Sequence, residues 1–222
     1  ITLGMLTVGG LYLSTLTVRE RISRKQKTTS VGILRHKVFH FNFLLFFFAG
    51  LLLQVSLGPF YSFFALYLRD LGYPQWSVGL YMSIGVIAEI GIFVIAGKLY
   101  QAFGTKWLIV FSLMATAIRW WLTAGFGGTW WILALVQLIH ATSFGLYHSA
   151  SLQFLQKHFD KEQQNRGQAI YIAGVYGVGG SAGAYLAGVV WQDGVGAVWS
   201  FQLAGIACVL AAIFALFIKT DK

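Results

Sequence analysis

The chain has 222 residues, of which 57% are hydrophobic and only 10% are charged, and its net charge is +9. About a quarter of the residues of a soluble domain are charged, so this composition excludes a soluble protein and predicts an integral membrane protein. Continuous rather than alternating apolar runs favour an all-α membrane protein over a closed barrel. Membrane topology accounts for the positive charge, so we expect a lipid bilayer and no nucleic acid as partner.

Seven apolar runs are long enough to cross the ~30 Å hydrocarbon core at ~1.5 Å per residue. They occupy residues 1–18, 39–67, 77–96, 107–126, 129–155, 167–191 and 197–218. A basic segment at 19–37 follows the first run and is interpreted as a linker, and a short loop is expected at 97–106. Gly58 and Pro59 predict a kink inside the second run.

Basic residues mark alternate loops. All but Arg69 and Arg119 of the 16 lysines and arginines lie in the linker, in the loop at 97–106, in the loop at 156–166 or in the tail at 219–222. The positive-inside rule therefore predicts that the linker and the C-terminus are cytoplasmic. Trp130, Trp131 and Trp191 then fall at the outer ends of their helices, where an aromatic belt is expected.

One span, a linker and six further spans form the layout of transporters built from two six-helix halves. We therefore interpret residues 1–18 as the last helix of an N-terminal bundle, 19–37 as a cytoplasmic basic linker, 38–218 as a C-terminal six-helix bundle and 219–222 as a cytoplasmic tail. Because the chain starts at Ile1 inside an apolar run, we expect it to be a fragment that lacks most of the N-terminal bundle, its natural partner.

Three ionisable residues lie inside apolar runs. Counted from the run that begins at residue 39, Glu89 is on the second helix, Arg119 on the third and His140 on the fourth. A rise of ~1.5 Å per residue places all three near the bilayer centre. Charged groups there are costly and mark substrate or ion pathways, which predicts a cluster that binds substrate and couples protons. The alternative is a fixed ion pair that locks the helices together.

The fourth helix also carries a polar face, which is expected to line water or substrate. Its residues are Gln137, His140, Phe144 and His148, bordered by Ser143 and Tyr147. Tyr61 on the first helix is a further candidate for the cavity wall. A metal site is disfavoured, because His140 and His148 are ~12 Å apart along the helix axis.

The fifth helix is rich in glycine, which lets neighbouring helices approach closely. Its segment from Gly179 to Gly183 also matches the pattern G-x-S-x-G, which raises the alternative of an intramembrane serine protease. A serine nucleophile needs a histidine base, and no histidine follows Ser181 in the chain. The packing interpretation is therefore favoured, and we expect no enzyme activity.

Several stretches resemble the C-terminal half of a major facilitator superfamily transporter, more narrowly the phenylpropionate permease family, which is related to lactose and nucleoside proton symporters. They are GPFYSFFALYL (58–68), GVIAEI (85–90), Arg119-Trp120, QLIHATSFGLYHSAS (137–151), RGQA (166–169) and GVGG (177–180). The resemblance implies two bundles of six helices, alternating access and proton-coupled uptake across a bacterial inner membrane. It implies no cofactor, with the proton gradient as the energy source.

In the lactose permease relatives, a Glu, an Arg and a His on the corresponding helices serve substrate binding and proton coupling. Glu89, Arg119 and His140 occupy those places. The relatives also carry a second acid one turn after the His, where this chain has Ser143, so the proton-carrying role passes to Glu89 or to the missing half. The loop at 97–106 resembles a degenerate superfamily motif in which Gln101 and Ala102 replace the usual Asp and Arg.

The resemblance favours an aromatic acid such as 3-phenylpropionate as the small organic solute. A nucleoside or an oligosaccharide is the alternative substrate. A structural subunit without transport is the alternative from another class of protein.

Overall fold

The computed structural model describes residues 27–219, and all regular structure in that part of the chain is helical. The predicted span at 1–18, the first part of the predicted linker and the end of the tail lie outside the described residues.

Nine α-helices are found in the described part. They are α1 (Lys27–Val38), α2 (Phe41–Ser56), α3 (Gly58–Asp70), α4 (Trp76–Phe126), α5 (Trp130–Ala141), α6 (Tyr147–His158), α7 (Gln164–Tyr171), α8 (Gly180–Trp191) and α9 (Ala197–Leu216). Two π-helical segments join α5 to α6 and α7 to α8, at Thr142–Leu146 and Ile172–Gly179. A short 3₁₀ helix, Gln192–Gly194, follows α8.

Helix α4 is two membrane spans rather than one. Its 51 residues would extend ~76 Å if straight, more than twice the thickness of the hydrocarbon core. Gly104 interrupts it with φ 73° and ψ 164°, a backbone conformation essentially restricted to glycine. The hydroxyl of Tyr73, just before the helix, donates to the carbonyl of Gly127, just after it, at 3.0 Å. The chain therefore doubles back at Gly104.

Six spans result, in agreement with the six predicted between residues 38 and 218. The first span is 41–70, the second 76–103, the third 105–126, the fourth 130–158, the fifth 164–194 and the sixth 197–216. The predicted loop at 97–106 was wrong, because helical structure continues through it on both sides of Gly104. One glycine with positive φ makes the reversal that was expected to need a loop.

The first span is broken where Gly58 and Pro59 predicted a kink. Helix α2 ends at Ser56 and α3 begins at Gly58, with Leu57 between them and proline in the first turn of α3. At this break the first span touches the backbone of the fifth, since a Cβ on Gly183 would lie 2.6 Å from the carbonyl oxygen of Val55. The glycines of the fifth span therefore serve close helix packing.

Different kinds of contact hold the helices together at the two ends of the bundle. At one end, called the Gly127 end, Tyr67 donates to the carbonyl of Thr123 at 2.7 Å. At the other, called the Asp160 end, Lys37 pairs with Asp160 at 2.8 Å. There His158 Nε2 also lies 2.9 Å from the carbonyl oxygen of Lys37. The second part of the predicted linker is thus a helix, α1, whose end is fastened to the bundle.

The predicted aromatic belt holds only in part. Trp130 and Trp131 are 68% and 56% exposed, but Trp191 is 4% exposed. Its ring stacks on Phe63 with the centroids 4.7 Å apart. The assignment of Trp191 to the belt was wrong, because it continues the buried side of the fifth span one turn after Ala187.

Candidate functional site

Glu89 and His140 meet in the middle of the bundle. Oε1 of Glu89 lies 2.8 Å from Nε2 of His140, and the two side chains are 14% and 8% exposed. Gly85, one turn before Glu89, makes room for the imidazole, because a Cβ at Gly85 would lie 3.1 Å from the His140 ring. The second and fourth spans therefore bring together two of the three predicted site residues.

Arg119, the third predicted site residue, is fully buried. Its guanidinium lies 4.4 Å from the ring centre of Phe60 and 4.2 Å from that of Trp120. Within residues 27–219 none of its three side-chain nitrogens has a hydrogen-bond partner, and no carboxylate lies within 4.0 Å of it. The cation is held by two aromatic faces rather than by Glu89.

Phe60 connects the two halves of this cluster. Its ring faces the Arg119 guanidinium and also lies 5.4 Å, centre to centre, from the ring of His140. Phe60 is the third residue after Leu57, in the first turn that follows the break, so the interruption of the first span determines where this ring sits. Tyr61, the next residue, is 58% exposed and marks an open face of the bundle beside the cluster.

Trp120 is fixed from the other side by the first and sixth spans. Its Nε1 donates to the hydroxyl of Ser56 at 3.2 Å, and Sγ of the buried Cys208 donates to the same oxygen at 3.0 Å. Ser56 is the last residue of α2, so this network ties the helix break to the indole that supports Arg119. Cys208 serves packing here.

Several buried polar atoms of the cluster have unused hydrogen-bonding capacity. Among the described residues, both side-chain polar atoms of Gln137, Nδ1 of His140 and the three nitrogens of Arg119 have no partner. Inside a membrane an unsatisfied polar group costs several kcal/mol. Donors and acceptors gathered in this way are suited to bind a polar or anionic ligand or water.

The structure divides the predicted polar face of the fourth span. Gln137, Ser143 and Tyr147 are buried, whereas Phe144 and His148 are half-buried. The π-helical segment Thr142–Leu146 is the reason, because its wider turn displaces the later residues from the spacing of a regular α-helix. The face therefore splits into a buried side and a side directed towards the fifth span.

The half-buried side contacts Tyr176 on the fifth span. Phe144 and His148 stack with centroids 5.8 Å apart and an angle of 3°. Nδ1 of His148 lies 2.9 Å from the hydroxyl of Tyr176 on the fifth span. Of the predicted cavity-lining residues, Ser143, Phe144 and Tyr147 line a cavity of about 10 Å³. Gln137, His148 and Tyr61 do not line that cavity.

The sequence analysis missed Phe60, Tyr171 and Tyr176. The hydroxyl of Tyr171 lies 3.4 Å from those of Tyr147 and Ser151, so the fifth span supplies hydroxyls to the polar side of the fourth. Tyrosines in a helix otherwise rich in glycine and alanine were the available signal. Ser181, the centre of the G-x-S-x-G match, is exposed, and no hydrogen bond joins it to a histidine in the described part.

Comparisons with known proteins place the chain in a family. Residues 3–203 match the MFS_1 like family. The chain is 28% identical over 156 residues to the "Probable 3-phenylpropionic acid transporter" of Escherichia coli, covering 70% of this chain and 41% of that protein. It is 26% identical over 195 residues to the "Putative nucleoside transporter YegT" of Escherichia coli, covering 80% and 45%.

A more distant match is to the "Major facilitator superfamily domain-containing protein 6-like protein B" of Xenopus laevis, with 24% identity over 123 residues, 55% of this chain and 20% of that protein. The chain spans less than half the length of these relatives. The family match covers nearly the whole chain and agrees with the helical membrane bundle described above. The chain therefore belongs to the MFS_1 like family of the major facilitator superfamily, a family of membrane transporters and not of enzymes.

Proposed function

We propose that this chain is the C-terminal half of a proton-coupled symporter that takes up a small organic solute by alternating access. The observation that carries the proposal is the contact between Glu89 and His140 at 2.8 Å. A carboxyl and an imidazole at this distance can hold one proton between them. Two spans, the second and the fourth, supply the pair, so a change in its protonation acts directly on the packing between them.

The buried Arg119 is proposed to bind the anionic group of the solute. A guanidinium presents a planar set of donors that matches a carboxylate. None of these donors is used within residues 27–219. The rings of Phe60 and Trp120, which both lie next to it, offer apolar surface to an aromatic body. Together these groups favour an aromatic carboxylate, the class to which 3-phenylpropionate belongs.

Charge balance links Glu89 and Arg119. When Glu89 is ionised, the nearby Arg119 cation is partly compensated, and when Glu89 is protonated, Arg119 attracts an anion more strongly. Protonation and binding of a carboxylate then favour one another, which is the thermodynamic requirement for symport. Ser143 stands where the lactose permease relatives carry a second acid, so Glu89 is the proton carrier in this half.

The solute site is proposed to be completed by an N-terminal bundle. The relatives are more than twice as long as the matched segments, and Tyr61, beside the cluster, is 58% exposed. A second six-helix bundle packed on this open face would close the cavity, as in transporters with two related halves. The basic Asp160 end is proposed to face the cytoplasm of a bacterium, with the C-terminus on the same side of the inner membrane.

The test uses the longest natural protein that contains this chain, reconstituted in liposomes with a pH-sensitive dye outside. Addition of 3-phenylpropionate without a pH gradient is expected to make the outside more alkaline, because protons enter with the solute. Uridine is the matched probe for the nucleoside alternative. A response to uridine alone would replace the aromatic acid as substrate, and solute uptake without any pH change would refute proton coupling.

A further inference from the structure

Beyond the Glu89–His140 pair, we propose that His148 and Tyr176 form a second proton-transfer site. A proton would pass from the Glu89–His140 pair to this second site through the small cavity between the two π-helical segments, by way of one water molecule. This inference rests on the proposed proton coupling and adds the route by which the proton leaves the pair.

The first observation is the coincidence of the two π-helical segments. Thr142–Leu146 contributes Ser143 and Phe144 to the wall of the cavity, and Ile172–Gly179 contributes Tyr176. Such segments are rare and occur frequently at functional sites. One π-helical segment belongs to the fourth span and the other to the fifth, and both face the same cavity. Ser143 and Tyr176 are the polar residues that they contribute to its wall.

The second observation is the size and polarity of the cavity. Its volume is about 10 Å³, and a single water molecule requires about 10–15 Å³ measured in the same way. Gln54, Ser143, Tyr147 and Tyr176 all line it. A buried water is held by two to four polar partners, and four of the eight residues that line the cavity carry a polar side chain.

The third observation concerns the edge of His140 that faces away from Glu89. Nε2 of His140 faces Glu89, and Nδ1, on the opposite edge of the ring, is buried without a partner in the described part of the chain. Ser143, on the cavity wall, follows His140 by a rise of ~4.5 Å along the helix. An imidazole accepts a proton at one nitrogen and releases another from its second nitrogen.

The transfer is balanced at every step. The O–H bond of protonated Glu89 breaks as a proton binds Nε2 of His140, and the proton on Nδ1 passes to the water. The water passes one of its protons to the oxygen of Tyr176, whose own hydroxyl proton moves to Nδ1 of His148 across 2.9 Å. The net result is an ionised Glu89 and a protonated His148; the water and Tyr176 are unchanged, and His140 has moved its proton from Nδ1 to Nε2.

His148 is the exit of this route. It is half-buried and lies ~12 Å from His140 along the helix, towards the Asp160 end. The other neighbour of the cavity, Tyr147, leads to Tyr171, and both of these side chains are 2% exposed. A proton on His148 has therefore reached the surface of the bundle, whereas one directed towards Tyr171 stays inside it.

The test compares two transport modes in liposomes that contain the longest natural protein with this chain. Net uptake of radiolabelled 3-phenylpropionate under a pH gradient requires release of the proton in every cycle. Counterflow at equal pH exchanges labelled for unlabelled solute while the proton stays bound. Tyr176→Phe and His148→Asn are expected to lower net uptake by at least about tenfold, since a positioned proton-transfer group contributes about 10²–10⁴ in rate, and to leave counterflow unchanged.

Tyr67→Phe is the control, because it removes a tyrosine hydroxyl that makes a hydrogen bond at the Gly127 end, away from the proposed route. It should leave both modes intact. Unchanged net uptake in Tyr176→Phe and His148→Asn would refute the route. Loss of counterflow together with net uptake would also refute it, since the hydroxyl would then shape the solute site. Solute uptake without proton movement in the wild-type protein would instead refute the proposed coupling itself.

Discussion

Replacing Arg119 by methionine separates a binding role from a structural one. Arg119 is fully buried and has no ion-pair partner within 4.0 Å among residues 27–219. If it serves to bind a ligand, the fold does not need it. If it were one half of a fixed ion pair, its removal would leave a buried carboxylate without compensation. The two roles predict opposite changes in the free energy of unfolding.

The expected magnitude follows from the contacts of the guanidinium. An arginine at the centre of a membrane helix costs about 2.5–3.5 kcal/mol on insertion scales. Its two aromatic contacts, at 4.4 and 4.2 Å, each return about 1–2 kcal/mol in a desolvated site. These terms nearly cancel, so Arg119→Met should change stability by no more than about 1.5 kcal/mol in either direction, whereas breaking a buried ion pair costs about 3–5 kcal/mol.

The assay is unfolding by sodium dodecyl sulfate in mixed micelles, followed by circular dichroism, together with binding of 3-phenylpropionate. Arg119→Met is expected to keep its stability and to lose binding. Arg69→Met is the control, because Arg69 is exposed and, among residues 27–219, pairs only with its neighbour Asp70. A loss of about 3 kcal/mol or more in Arg119→Met, absent from the control, would refute the reasoning and favour the ion pair.

Three further outcomes are expected. Glu89→Gln should abolish accumulation driven by a pH gradient while the protein stays folded, because glutamine can still hydrogen-bond His140 but cannot release a proton; intact accumulation would contradict the proposed role. Gly183→Ala should lower the free energy of unfolding by about 1–3 kcal/mol, since its Cβ would lie 2.6 Å from a carbonyl oxygen of the first span. Gly177→Ala should not lower the free energy of unfolding, because a Cβ at Gly177 would have no neighbour within 4 Å. Equal losses of stability in the two variants would refute the close-packing argument. Asn42→Ala should speed proteolysis of the tail, because the Asn42 amide bonds the backbone N–H and carbonyl of residue 219 at 3.1 and 2.8 Å; an unchanged rate would mean that this clamp does not hold the tail.

The six spans could be predicted because each is a continuous apolar run of sufficient length. The common depth of Glu89 and His140 followed from the rise of a helix. The reversal at Gly104 could not be recognised in the same way, since its polar neighbours are typical of a loop and the positive φ has no distinct sequence signal. Trp191 was misplaced because the sequence shows where a tryptophan lies along a helix but not which side packs inward.

The details of the site depended on contacts between helices. The sequence predicted that Arg119 lies near the level of Glu89 and His140, but whether it pairs with Glu89 or lies against aromatic rings is decided by side chains from three different spans. The π-helical segments have no pattern of their own, so the regular spacing assumed for Phe144 and His148 failed. Tyr176 was overlooked because its significance comes from the helix that it faces.

The reversal at Gly104 leaves no spare residues between the second and third spans. One residue inserted beside it would shift the third span by one position and turn that helix by ~100°, carrying Arg119 away from Phe60. Insertions that surface loops ordinarily tolerate are therefore incompatible with the cluster at this point, and a tag or reporter belongs at another connection. The number of residues between Glu89 and Arg119 is as much a part of the site as the two side chains.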